Sequence, residues 1–160
     1  MARQTHPVKP VYDNFSKILI LGSFPSVKSR EERFFYAHPQ NRFWRTLSVI
    51  LNCELPLTID EKRKFLLENN IALWDVIQSC DIEGSSDSSI KNVVPNDFSE
   101  IFSAANIRMI FANGSTSFNM FKKYSNCNRE IIKLPSSSPA NAMFSLEKLI
   151  DKWKIILDYL

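Results

Sequence analysis

Residues 17–26 read Lys17-Ile18-Leu19-Ile20-Leu21-Gly22-Ser23-Phe24-Pro25-Ser26. The near-continuous apolar run over 17–21 is typical of a strand that is buried on both faces of a parallel sheet. Gly22 and Pro25 then favour a tight turn directly after the strand. Open α/β sheets bind their ligands at the carboxyl ends of their strands, so this turn is the first candidate binding site.

The rest of the chain alternates between strand and helix patterns. Apolar runs predict further strands over 71–77, 108–112 and 130–134, and helical spacing predicts helices over 41–53, 58–69, 97–105, 115–124 and 145–160. This alternation predicts a three-layer α/β fold, with helices on both faces of a central four-stranded parallel sheet. The serine-rich residues 81–92 are expected to form a loop, and residues 1–16 a loose N-terminal arm.

Length and composition set broad limits. A chain of 160 residues is expected to form one domain spanning 1–160, and its formal charge of +3 permits nucleic-acid binding without requiring it. Cys53, Cys80 and Cys127 form no Cys-x-x-Cys pair, which argues against a zinc site or a disulfide framework and fits a reducing cytoplasm. No signal peptide or membrane-spanning apolar run is visible, and a monomer is the default expectation.

Polar or glycine-containing loops follow all four predicted strands, at 22–26, 75–90, 113–116 and 135–141. Because parallel strands end at the same edge of a sheet, these loops can converge. The segment Tyr36-Ala37-His38-Pro39-Gln40-Asn41-Arg42-Phe43-Trp44 adds aromatic and amide side chains after the first turn. Such a cluster suits a flat ligand with polar edges, for example a nucleobase.

These segments resemble the uracil-DNA glycosylase superfamily, and within it the DNA-deoxyinosine (hypoxanthine-DNA) glycosylases, often called family 6. The resemblance is carried, in family order, by residues 21–25, 36–44, 73–76, 84–90, 111–114 and 134–141. It implies a monofunctional glycosylase that flips deaminated bases out of DNA, excises hypoxanthine and secondarily uracil, and works in base excision repair. No metal or organic cofactor is expected, and neither is a membrane partner.

Two alternatives stay open at this point. The mismatch-specific uracil glycosylases share the His-Pro-x-Asn-Arg-Phe-Trp segment, but their first motif carries a water-positioning asparagine where this chain has Phe24, and a glycine where it has Ser26. A non-catalytic nucleic-acid-binding module on the same fold is the second alternative.

The resemblance implies two catalytic asparagines. Asn41 matches the main catalytic asparagine of the hypoxanthine-specific family, and its amide oxygen is expected to orient the attacking water. Asn113 is expected to contact the base or the water. A structural alternative exists for each, because asparagine is a favoured helix cap and Asn-Gly favours a left-handed turn.

A second group of residues is predicted to bind the base: Gly22, Ser23, Phe24, Pro25, Tyr36 and His38. Tyr36 matches the position of an aromatic residue that stacks on the flipped base, with packing beside Phe34 and Phe35 as the alternative. His38 could donate to the departing base or could serve only the turn before Pro39.

The loop after the last strand is predicted to bind DNA through Ser137, Ser138, Pro139, Ala140 and Asn141. The serines would contact phosphates, Pro139 and Ala140 would press into the minor groove, and Asn141 would reach the partner base or a phosphate. The alternative is an ordinary loop that caps the last helix. Paired carboxylates are not evident, so Asp87 is expected to order its own loop, and Arg42 is among the basic residues expected near phosphates.

Overall fold

The computed structural model describes residues 2–160. Its strands are β1 (Ala2–Thr5), β2 (Ile18–Gly22), β3 (Ile71–Asp75), β4 (Ile77–Ile82), β5 (Lys91–Pro95), β6 (Met109–Asn113) and β7 (Ile131–Leu134). Its α-helices are α1 (Val27–Glu32), α2 (Phe43–Ile50), α3 (Ile59–Glu68), α4 (Ser99–Ala104), α5 (Ser115–Tyr124) and α6 (Leu146–Trp153). Two 3-10 helices, Asp87–Ser89 and Lys154–Tyr159, complete the chain.

Four parallel strands form the central sheet in the order β3-β2-β6-β7. All five residues of β2 are buried, as expected for a strand covered on both faces. The register places Gly22 opposite Asp75 and Asn113 opposite Leu134. The carboxyl ends of neighbouring strands therefore lie side by side at one edge of the sheet.

Alternate residues of β2 enter the two different cores that make the fold three-layered. Ile18 and Ile20 belong to the core that α2, α3 and α6 cover, whereas Leu19 and Leu21 belong to the core that contains residues of α4 and α5. Successive side chains of a strand point to opposite faces, which explains this division. The predicted three-layer fold with four parallel strands is confirmed.

A second, antiparallel sheet was not expected from the sequence. Its order is β1-β4-β5, and only Val76 separates β4 from β3. The prediction of a loop over 81–92 is wrong in part, because β4 runs to Ile82 and β5 begins at Lys91. These strands are polar and partly exposed, so they lack the apolar pattern that marks β2.

The N-terminal segment is also ordered, which corrects the prediction of a loose arm. β1 pairs with β4, and Val11 exchanges two backbone hydrogen bonds of 2.9 Å with Leu73 in the central sheet. Val8 and Val11 are both buried in the core. All these partners lie far along the chain, so local periodicity could not reveal them.

Most helix boundaries follow the predictions closely. α5 spans the predicted residues 115–124, and α3 begins after Thr58, whose hydroxyl accepts a hydrogen bond from the Glu61 backbone N–H. The closing helix is shorter than predicted because it changes to a 3-10 helix after Trp153. Within residues 2–160, none of the helices combines the length and apolar character that a membrane crossing requires.

Candidate active site

A cavity of about 390 Å³ lies at the carboxyl edge of the parallel sheet. Its wall is formed by the last residues of β3 and β6, Asp75 and Asn113, and by the loops that follow β2, β4 and β7. The carboxyl ends of the four parallel strands therefore converge as predicted. Twelve of the predicted site residues line it: Gly22, Ser23, Phe24, Pro25, Tyr36, His38, Asn41, Asn113, Ser137, Ser138, Pro139 and Ala140. Asn141 does not line it, and its side-chain amide donates to the Ser136 carbonyl at 3.0 Å.

Gly22 allows two polar side chains to pack against the end of β2. A Cβ at this position would overlap Asp75 Oδ1 and would lie 2.8 Å from the Tyr36 hydroxyl oxygen. Glycine is the residue that permits such a close approach of side chains to a backbone. The cavity wall thus combines the Asp75 carboxylate and the Tyr36 ring because β2 ends in glycine.

The turn after Gly22 is held by its neighbours. Ser23 donates to Asp87 Oδ1 at 3.2 Å, and Phe24 is buried with its ring 5.8 Å, edge to face, from the His6 ring. Ser26 begins α1, since its hydroxyl accepts a hydrogen bond from the Ser29 backbone N–H at 3.1 Å. Serine at position 26, where related motifs carry glycine, therefore has a capping role.

A buried hydrogen-bond chain joins the two predicted catalytic asparagines through Ser137. Asn113 Nδ2 donates to Ser137 Oγ at 2.9 Å, and Ser137 Oγ donates to Asn41 Oδ1 at 2.8 Å. The Ser137 backbone N–H donates to Asn113 Oδ1 at 2.9 Å, and the Phe43 backbone N–H donates to Asn41 Oδ1 at 2.9 Å. Because a backbone N–H can only donate, the amide atom that faces it must be the oxygen, which settles the orientation of both asparagine side chains.

The hydrogen bonds to Asn41 bear on its expected role. Its oxygen accepts two hydrogen bonds inside the protein, which fills both of its lone pairs. Orientation of water by Asn41 stays a prediction, and the part of its side chain without a protein partner is the Nδ2 amide. Arg42 is the N-cap residue of α2, and Asn41, one position before it, accepts a hydrogen bond from the first backbone N–H of the helix.

Asn113 is not the left-handed turn residue that the alternative required. It ends β6 in the regular register, and the positive φ of 96° belongs to Gly114. A Cβ on Gly114 would come within 3.0 Å of Ser136 Cβ, so this glycine also brings β6 close to the last loop.

Tyr36 packs as well as lining the cavity. Its ring stacks on Phe43, with centroids 4.2 Å apart and an interplanar angle of 22°. Its φ of 52° is left-handed, which is uncommon for a bulky residue. Its hydroxyl is buried without a hydrogen-bond partner in residues 2–160, and this burial, reinforced by the Asp75 charge, raises the pKa of Tyr36 above its ordinary value.

His38 lies exposed on the rim of the cavity. Its Nδ1 accepts a hydrogen bond from the Gln40 backbone N–H at 3.1 Å, and its carbonyl accepts one from the Asn41 backbone N–H at 3.0 Å. His38 therefore orders the turn that leads to Asn41, as the structural alternative proposed, and it also remains accessible from the cavity.

Arg42 holds the loop that follows β7. Its guanidinium donates to the carbonyl oxygens of Ser138 at 2.8 Å and Asn141 at 3.1 Å, and also to that of Phe144. At the start of the loop, Trp153 of α6 donates to the Pro135 carbonyl at 2.9 Å. Arg42 was expected near phosphates, but its guanidinium is engaged with these carbonyls.

The predicted DNA-binding residues of this loop differ in exposure. Ser137 is fully buried and bonded to both asparagines, so its predicted contact with a phosphate is wrong for this conformation. Ser138 is partly buried, while Pro139 and Ala140 are exposed. Met143, which the sequence reasoning missed, is 85% exposed on the same loop. The sequence signal for Met143 was a large apolar residue shortly after the polar segment 135–141.

Two carboxylates line the cavity, although the sequence predicted no carboxylate pair for acid–base chemistry. Asp75 is buried at the end of β3, and Asp87 belongs to an exposed 3-10 turn beside Ser23. Desolvation raises the pKa of Asp87, the hydrogen bonds from Ser23 and Thr116 oppose this, and the Asp75 charge adds to the rise.

Behind Asp75 lies His6, which the sequence reasoning assigned to the loose arm. His6 Nε2 is 2.7 Å from Asp75 Oδ2, and the two side chains are only 2% and 5% exposed. A single histidine in a polar, proline-containing segment gave no signal that it would reach the sheet. In residues 2–160, no group of three or more His, Cys, Asp and Glu side chains is arranged to hold a metal ion.

Comparison with known proteins agrees with this geometry. The family model for the uracil DNA glycosylase superfamily matches residues 10–159. The chain belongs to the uracil DNA glycosylase superfamily. The match includes every strand of the parallel sheet and all the loops that form the cavity.

Individual members of the superfamily are similar over most of the chain. A hypoxanthine DNA glycosylase of Methanosarcina acetivorans is 37% identical over 137 residues, which cover 84% of this chain and 87% of the relative. One of Methanosarcina barkeri is 37% identical over 119 residues, covering 73% and 74%. The solution NMR structure of a Methanosarcina acetivorans protein, provisionally named a uracil DNA glycosylase, aligns with a TM-score of 0.81 and 33% identity over 95% of each chain.

Replacing Gly22 with alanine tests the packing at the end of β2. We expect Gly22→Ala to displace the Asp75 carboxylate and the Tyr36 hydroxyl, because the new methyl group would occupy their space. Excision activity should fall by about tenfold or more, a loss typical of a misplaced binding group, while the far-ultraviolet circular dichroism stays native. Gly84→Ala is the control for backbone strain without a side-chain clash, since a Cβ there meets nothing within 4 Å although its φ of 59° is left-handed. Equal activity in both variants would contradict this packing argument.

Proposed function

We propose that this protein is a DNA glycosylase that flips deaminated bases out of DNA and excises them, with hypoxanthine in deoxyinosine as its first substrate. The observation that carries the proposal is the base-sized cavity at the carboxyl edge of the sheet, with the Asn41–Ser137–Asn113 chain in its wall. The two relatives named hypoxanthine DNA glycosylase support the choice of base. Uracil is the second base to test.

Hydrolysis of an N-glycosidic bond leaves negative charge on the departing base. Donors that are already fixed in position stabilise such charge best, because they need no reorganisation during the reaction. We assign this part to Asn41 Nδ2, since the bonds to its oxygen hold the amide plane in place. Asn113 supports Asn41 through Ser137 and also reaches the cavity.

Entry of a flipped base leaves a gap in the duplex that an apolar side chain can fill. Pro139 and Ala140 are exposed at the cavity but small, whereas Met143 is large and exposed on the same loop. Arg42 holds this loop by three carbonyl contacts, so a side chain on it can press into DNA without the loop yielding. We assign insertion into the duplex to Met143, with Pro139 and Ala140 beside it.

We propose a single-domain monomer that acts in the cytoplasm on DNA, without a metal or a membrane partner. The chemistry supports metal-free action, because positioned donors and a water molecule suffice for this hydrolysis. The lack of a paired cysteine motif in the sequence supports a reducing compartment.

The function is tested with labelled duplexes that carry one deoxyinosine or one deoxyuridine. They are incubated with the protein in EDTA and then treated with alkali, which cleaves the strand at abasic sites. We expect cleavage at deoxyinosine in excess of deoxyuridine. Cleavage only at mismatched deoxyuridine would replace hypoxanthine by uracil, and DNA binding without any cleavage would leave a binding module.

The Asn41 assignment is tested by Asn41→Asp. Its carboxylate can still accept the bonds from Phe43 and Ser137, but the Nδ2 donor is lost. Excision of hypoxanthine should fall by about 100-fold or more, the usual effect of removing one donor to a developing charge, with little change in melting temperature. Asn41→Ala should lose activity and also stability, because it leaves the Phe43 N–H and the buried Ser137 hydroxyl without their acceptor. Normal turnover by Asn41→Asp would limit Asn41 to a structural role as the acceptor for Phe43 and Ser137.

The insertion assignment is tested by Met143→Ala on duplex and single-stranded substrates. Only the duplex requires unstacking, which costs a few kcal/mol, so we expect a loss of about tenfold or more on the duplex and little change on the single strand. Leu57→Ala is the control, because Leu57 is 73% exposed before α3 and outside the cavity. A similar loss on both substrates would show that Met143 does not act by insertion.

A further inference from the structure

The carboxylate of Asp75 has one oxygen that is held by the protein and one that is not. Oδ2 lies 2.7 Å from His6 Nε2. Oδ1 accepts no hydrogen bond from any group in residues 2–160, although Asp75 lines the cavity and is almost completely buried. A carboxylate oxygen that has no partner in the protein, on a residue that lines a cavity, is free to accept a hydrogen bond from a ligand.

His6 donates to one of the two oxygens of this carboxylate. The Val8 backbone N–H donates to His6 Nδ1 at 3.1 Å, so Nδ1 carries no proton. The ring proton is then on Nε2, which donates to Asp75 Oδ2. The His6 N–H thus occupies Oδ2 and leaves Oδ1 as the Asp75 oxygen without a hydrogen bond inside residues 2–160. The rings of Phe24, Phe35 and Trp74 surround His6 and keep it in place.

Deamination changes the hydrogen-bonding edge of a base in a way that matches this acceptor. Adenine carries an unprotonated ring nitrogen N1 beside an amino group. Hypoxanthine carries an N1–H donor beside a carbonyl, and uracil and xanthine have the same lactam arrangement. A carboxylate oxygen therefore attracts the lactam N–H and repels the lone pair of adenine N1.

We propose that Asp75 Oδ1 recognises the lactam N–H of the flipped base, and that His6 is the positioning residue that aims it. This inference rests on the proposed glycosylase function and defines the substrate class as bases with a lactam N–H. A site built to bond an N–H rejects an analogue that lacks it far more strongly than an apolar pocket can. The discrimination thus comes from a residue pair that spans the N-terminal segment and the end of β3.

The carboxylate is expected to act in binding more than in the chemical step. Negative charge on Asp75 opposes the negative charge that develops on the leaving base, so it cannot lower the barrier by itself. Its contact with the N–H is present before the bond breaks, and such a contact affects KM more than kcat. The negative charge on the departing base is then stabilised by the hydrogen bond from Asn41 Nδ2.

The proposal is tested by comparing two bases in the same duplex: hypoxanthine, and unsubstituted purine from 2′-deoxynebularine, which has an N1 lone pair and no carbonyl. The measured quantity is the ratio of their kcat/KM values. Because both bases are measured with the same protein sample, the folded fraction cancels in this ratio. The intrinsic difference between the two leaving groups cancels when the ratio of a variant is compared with that of the wild type. In Asp75→Asn the His6 N–H keeps the amide oxygen on its side, so the NH2 donor faces the cavity.

We expect Asp75→Asn to lower the hypoxanthine-to-purine ratio by about 100-fold, since a charged hydrogen bond is replaced by a donor facing a donor. Asp75→Ala should lower the ratio less, because it removes the acceptor without adding a donor. His6→Ala should lower it by about tenfold, with the loss in KM, and His6→Gln should restore part of it, because its amide can still donate to Asp75.

The outcomes separate this inference from the proposed function. Wild-type protein that leaves deoxyinosine intact would defeat the proposed function itself. Wild-type protein that excises hypoxanthine while Asp75→Asn and Asp75→Ala keep the wild-type ratio would overturn the recognition role, even if both variants are less stable. A His6→Ala effect confined to melting temperature, with the ratio unchanged, would reduce His6 to a structural residue.

Discussion

The absence of a side chain at Gly22 is the constraint on which the site depends. β2 is the strand that contacts both β3 and β6, and its last residue faces Asp75 across the sheet. Because no Cβ is present, the Asp75 carboxylate and the Tyr36 hydroxyl can both approach the end of the strand. Tyr36 then adopts a left-handed backbone conformation, which the packing of its ring on Phe43 supports. The missing Cβ of Gly22 thus determines where the polar groups of the cavity wall lie.

Around that wall, buried hydrogen bonds connect segments that are distant in the chain. Ser137 bonds to Asn41 across 96 positions and to Asn113 across 24, while Arg42 ties the start of α2 to the final loop. Each of these side chains is oriented by a backbone group or by a second side chain, so the donors are in place before a ligand arrives. Such preorganisation is what stabilisation of a developing charge requires. It also explains why residues that look like phosphate ligands in the sequence, Ser137 and Arg42, serve the site from inside the protein.

The local sequence signals predicted the central sheet well and the second sheet poorly. The apolar run at 18–21 and the cap at Thr58 are local signals, and the elements they mark were predicted nearly to the residue. β1, β4 and β5 are short, polar and partly exposed, and they are held by pairing with each other. Nothing in a window of a few residues distinguishes such strands from loops. The same reason explains why the N-terminal segment was predicted as a loose arm and why His6 was missed.

By itself, the sequence determined the layers of the fold, the edge at which the loops meet and the set of residues in those loops, because hydrophobic periodicity and strand-end turns are properties of neighbouring residues. Only the tertiary structure decided which polar groups are free for a ligand. The Asn41 oxygen is bonded by a residue 96 positions away, and one oxygen of Asp75 by a residue 69 positions away. The most distant partner of the Arg42 guanidinium lies 102 positions away. A hydrogen bond consumes a donor or acceptor whatever the sequence distance, so the chemistry that remains available is a property of the folded chain.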